Sequence, residues 1–121
     1  MTTLTGTQAI MSADTLRGDK VRNLAGEDLG KIEDFMLDLD TGRVRYAVLS
    51  FGGVLGMGNK FFAVPPEALS LDEENECLVL DFEKERLKDA PGFDKDHWPD
   101  FADAKFGQQV YQYYGHQPYW S

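Results

Sequence analysis

The chain is predicted to be mainly β: a small antiparallel β-barrel, with a short helix after its last strand and an aromatic-rich, partly helical C-terminal tail. Three observations predict this. Apolar and polar residues alternate with period two on both sides of the turn Asp40-Thr41-Gly42. Glycine, proline and acidic turn clusters recur at short intervals up to Pro91-Gly92, leaving room for strands but not for long helices. Eight of the fifteen aromatic residues then crowd into the last 24 positions, a density foreign to a solvated linker.

The elements follow in order. Residues 1–11 are small and polar and are expected to fray. Residues 12–92 form the barrel. Ser12, Asp14 and Thr15 suit a capped helical turn closing at Gly18, and Lys20–Asn23 is a short strand. After the turn at Gly26–Gly30, Lys31–Asp40 is the first long strand, with Phe35, Leu37 and Leu39 expected on its inner face. Gly42 supplies the positive φ of the hairpin. Arg43–Phe51 returns with apolar residues on both faces: Val44, Tyr46 and Val48 on one, Ala47, Leu49 and Phe51 on the other. It should be a central strand covered on both sides. Gly52, Gly53, Gly56 and Gly58 mark a hairpin loop before the strand Lys60–Val64, which Pro65 ends because proline cannot donate to a ladder. Asp72–Glu76 is a charged turn with Asn75 suited to the left-handed conformation. Cys77–Phe82 is the last strand, and Glu83–Ala90 gives one or two helical turns stopped by Pro91-Gly92.

Residues 93–121 are the aromatic extension, expected to pack on a barrel. Asp103 can cap a helix running to Tyr114, with Gly115 just past its end. Phe106, Val110 and Tyr113 would share one of its faces.

Composition narrows the function. At 121 residues with 42% apolar content, the chain is one domain with a tail. No apolar run is long enough to span a bilayer, so direct membrane insertion is not expected. The first eleven residues do not read as a signal peptide, and the single cysteine, Cys77, allows no internal disulfide; both point to the cytoplasm. Twenty-one acids against twelve bases give a net charge of -9, which argues against nucleic acid as a partner. A neutral or basic protein surface remains acceptable.

No residue set announces chemistry. Gly52–Gly58 lacks the Gly-Lys-Ser/Thr ending of a phosphate loop and opens no helix. Asp34, Asp38 and Asp40 alternate like a polar outer face, and the acids around Asp72 lack calcium-loop spacing. Cys77, His97 and His116 stand far apart, so no metal, cofactor or catalytic site is expected.

The run from Lys31 to Leu69 and the later strand and helix carry a family likeness. Gly30-Lys31-Ile32-Glu33-Asp34, Asp40-Thr41-Gly42-Arg43-Val44, Ser50-Phe51-Gly52-Gly53, Gly56-Met57-Gly58 and Ala63-Val64-Pro65 together resemble the PRC-barrel family. Its barrel is shared by the photosynthetic reaction-centre H subunit and the C-terminal part of a ribosome maturation factor. The likeness covers residues from about 12 to 93; Pro66 departs from it, since many members carry an aromatic there. It implies a non-catalytic barrel that docks onto other proteins. The alternatives are an accessory of a membrane electron-transfer complex, as with the H subunit, and a small-ligand sensor. In the tail, Trp98, Phe106, Tyr111, Tyr113, Tyr114, Tyr119 and Trp120 are the candidate interaction residues: either core packing or a recognition arm. A homodimer is expected, because a lone small barrel leaves sheet surface uncovered.

Overall fold

The structure, a computed structural model, describes residues 2–3, 10–52, 59–94 and 96–120. Its strands are β1 (Thr2–Thr3), β2 (Lys20–Arg22), β3 (Asp28–Asp38), β4 (Arg43–Gly52), β5 (Asn59–Val64), β6 (Leu69–Asp72), β7 (Cys77–Leu80) and β8 (Gly92–Asp94). The helices are α1 (Ala13–Leu16), α2 (Lys84–Lys88) and α3 (Ala104–Tyr113), with a single 3-10 turn at Pro66–Ala68. Pro65 does end β5, and Ser12 caps α1 by accepting the Thr15 N–H at 3.0 Å. Among the described residues, no helix is long and apolar enough to cross a membrane.

The strands form one sheet in the order β1-β6-β7-β2-β3-β4-β5-β8. It is mainly antiparallel, but β2 and β7 run parallel, Val21 beside Leu78. The expectation of a closed, wholly antiparallel barrel is corrected on both counts. The sheet is open, because its edge strands β1 and β8 are only two and three residues long and do not pair with each other. The parallel pair joins strands far apart in the chain, which turn-by-turn reading of hairpins does not reach. Of the N-terminal stretch expected to fray, Thr2–Thr3 pairs with β6, and residues 1 and 4–9 lie outside the described ones.

β3 breaks the simple alternation. Its register against β4 shifts between Ile32 and Asp34 and again between Met36 and Leu37. The first inserts Glu33 into β3 and turns the side chains after it to the other face; the second inserts Arg45 into β4, opposite the Met36–Leu37 step. Phe35 stays partly buried against the core, but Leu37 is 59% exposed and Leu39, in the loop beyond the strand, is 87% exposed. These two leucines are therefore not core residues. The hairpin closes after the Asp38–Arg43 pair, with the Gly42 N–H donating to the Asp38 carbonyl at 2.8 Å. Gly42 has φ +75°, which a side chain would strain.

The second hairpin pairs Asp72 with Cys77. Here the positive φ falls on Glu76, at +52°, not on Asn75. Asn75 is instead spent on the turn: its backbone and side-chain N–H groups both donate to the Asp72 carboxylate, at 3.3 and 2.8 Å.

β4 is the central strand, with Tyr46 to Ser50 buried without a break. On one face Leu49 stands in register with buried Ile32 and Phe62. On the other face, Tyr46 meets rings of the C-terminal segment.

Candidate functional site

The aromatic cluster begins from α3. The Asp103 carboxylate accepts the Lys105 N–H at 3.0 Å, fixing the start, and Gly115, at φ +78°, turns the chain away after Tyr114. The buried stripe is Gly107, Val110, Tyr111 and Tyr114. Phe106 and Tyr113 flank it half-buried, so the expected face of Phe106, Val110 and Tyr113 is rotated by about one position. Gly107 decides the rotation. A Cβ there would stand 2.7 Å from the Tyr46 hydroxyl and nearer still to the Trp120 ring. Only glycine lets α3 come this close to β4.

Tyr46 is the hub. Its ring lies 5.5 Å from Phe101, 5.7 Å from Phe106, 5.9 Å from Tyr111 and 6.5 Å from Trp120, all tilted or edge-on. The Tyr111 hydroxyl donates to the Arg45 carbonyl at 2.6 Å. The Arg45 guanidinium lies 3.7 Å over the Trp120 ring and the Arg43 guanidinium 3.9 Å over Tyr119. Tyr119 donates to the Asp38 carboxylate at 2.5 Å and holds that carboxyl below the usual carboxylate range. At the other end of α3, Tyr113 donates to the Arg86 carbonyl at 2.5 Å, and Tyr113 and Tyr114 both pack on Phe82. Burial pushes the phenols of Tyr46, Tyr111 and Tyr114 upward, so all three stay neutral at physiological pH.

The candidate interaction residues therefore divide. Tyr111 and Tyr114 are buried and present no surface to a partner. Phe106, Tyr113, Tyr119 and Trp120 are half-buried in the cluster. Trp98 is 42% exposed and packs on Phe61, Phe93 and Phe101. Sequence reading missed β8, whose Phe93 pairs with Phe61 and supports this corner. Three residues are too few to show a period.

Of the glycines assigned to the β4–β5 loop, Gly52 ends β4 with φ +104°, while Gly53, Gly56 and Gly58 lie outside the described residues. The Asp34 carboxylate caps the Phe35 N–H and Asp38 the Asp40 N–H, so both serve the backbone. Cys77 is a buried free thiol in β7. Among the described residues no three His, Cys, Asp or Glu converge as a metal site would require.

The sheet order, the β3–β4 hairpin and the strand ending at Pro65 agree with one further finding. The model of the PRC-barrel domain matches residues 9–87. The chain belongs to the PRC-barrel family. No curated protein matches it. The PRC-barrel match ends within α2, so β8 and the aromatic segment lie beyond it. In this PRC-barrel protein the added segment covers the outer face of β4 through the same chain.

Proposed function

We propose that the protein is a non-catalytic interaction module that docks a protein partner at the end of its β3–β4 hairpin. One observation supports this most. Leu37 and Leu39 are 59% and 87% exposed, and Asp38 between them is held by Tyr119. Large apolar side chains on a braced, rigid hairpin are what a partner can bury at low entropic cost. Arg43 and Tyr119 beside them are residue types favoured at interface centres. The protein's net charge of -9 favours a neutral or basic opposing surface.

Assembly of two copies through this hairpin is part of the proposal, since a two-fold axis would bring the same apolar residues face to face. Uncovered β4 surface no longer argues for a dimer, because the C-terminal rings cover it. Light scattering on the wild type and on the double variant Leu37→Glu/Leu39→Glu tests the reading. The wild type should have the mass of two chains and the variant of one. The variant should keep native circular dichroism, because neither leucine is core, and its melting temperature should lose its dependence on protein concentration. A monomeric wild type removes self-association. A variant that still forms the same assemblies with its partners removes the hairpin as the docking surface.

A further inference from the structure

At the opposite end of the β3–β4 pair, a cleft of about 340 Å3 is lined by Lys20, Lys31, Lys84, Asp28, Ser50 and Phe51, among others. It gathers three of the chain's twelve basic residues in a protein of net charge -9. Lys20 of β2 stands directly across from Lys31 of β3, and Lys31 across from Ser50 of β4. Like charges directly opposite weaken a strand pair. Neither lysine, nor Lys84, takes part in an ion pair among the described residues. Asp28, the one carboxylate among the lining residues, whose Oδ1 accepts the Gly30 N–H at 2.9 Å, offsets only one of the three charges. Lys84 enters from α2, its Nζ 6.0 Å from the Phe51 ring, and half-buried Phe51 gives one apolar wall.

We propose that this cleft binds a small molecule bearing an oxyanion, a phosphate or a carboxylate, held between Lys20, Lys31 and Lys84 with its apolar part against Phe51. The size of the cleft is that of small-ligand sites, roughly 300–1,000 Å3. Long polyanions are disfavoured by the acidic remainder of the surface, while a small anion meets only the local positive field. Bound anion screens the Lys20–Lys31 repulsion, so binding and strand pairing reinforce each other.

The test is an NMR titration of the isotope-labelled full chain with inorganic phosphate and, separately, with succinate, at constant ionic strength set by chloride. Saturable shifts at the Lys20, Lys31, Ser50 and Lys84 amides are expected with at least one of them. A response to phosphate alone assigns a phosphate-bearing ligand, and to succinate alone a carboxylate. Lys31→Gln should weaken binding about fivefold, the effect of losing one exposed charge contact, and should raise the melting temperature by relieving the lysine pair. Absence of saturation with both anions overturns the proposal. So does equal binding by Lys31→Gln, or binding of a Glu-rich peptide without response to either small anion, which would make the cleft a protein dock. The hairpin variant leaves this cleft intact, so the two readings fail separately.

Discussion

Alanine in place of glycine inside a helix ordinarily stabilises by about 1 kcal/mol, because glycine gives up more backbone freedom on folding. At Gly107 the opposite is expected. The new methyl would press on the Tyr46 hydroxyl at 2.7 Å and more closely on the Trp120 ring. Neither is a pliable side-chain end: Tyr46 is fully buried among four rings, and Trp120 is pinned between Tyr111 and the Arg45 guanidinium. Overpacking of this kind costs about 1–3 kcal/mol. The still closer approach to the pinned Trp120 ring belongs at the upper end of that range. Set against the helical gain, Gly107→Ala should therefore lose about 2 kcal/mol, a drop of roughly 5 °C or more for a chain of this size. Thermal unfolding by circular dichroism reads the loss. Tryptophan emission in a Trp98→Phe background, which isolates Trp120, should shift toward that of a solvent-exposed indole. In a Trp120→Ala background the cost should shrink, since the nearest obstacle is gone. A higher melting temperature for Gly107→Ala, with Trp120 emission unchanged, would refute the close approach of α3 to β4.

Three further outcomes follow from the same packing. Tyr111→Phe removes the donor to the Arg45 carbonyl and should cost about 1–2 kcal/mol in urea unfolding without altering association. Truncation after Asp94 keeps β8 but strips the rings from Tyr46, and should lower the melting temperature by several degrees or give a chain that aggregates through the bared face. The phenols of Tyr111 and Tyr114 are raised by burial. Their contribution is therefore fully present below the ordinary tyrosine value of about 10 and is lost as pH rises beyond it, so phenolate absorbance and loss of circular dichroism should rise together on the alkaline side. Independent titration of every tyrosine near that ordinary value, with the fold intact, would contradict this.

Much of the frame was legible because its signals are local. The Ser12 and Asp103 caps, the Gly42 and Gly115 turns, and the two-sided apolar pattern of Val44 to Phe51 each lie within a few residues of what they specify. Features that depend on distant partners were not. The extra residues, Glu33 in β3 and Arg45 in β4, come from the match of the two strands, and Leu37 and Leu39 lie outside the core against a clean period-two pattern. The parallel β2–β7 pair and three-residue β8 have no periodicity of their own. The aromatic richness of the tail was plain, but which rings are buried depends on Gly107, whose role appears only when Tyr46 and Trp120 stand beside it. The lysine cleft draws on three separate elements, and no motif announces it.

The central claim is that the aromatic segment is committed to its own sheet and the hairpin end is the surface that meets a partner. A photo-crosslinking side chain placed singly at Leu37, at Leu39 and at Gln108 on the exposed face of α3 tests it most directly. In cells making the full chain, positions 37 and 39 should yield protein adducts, whether with a second copy or another protein, and position 108 should yield none. Adducts from position 108 alone would place recognition on the helix and contradict the account.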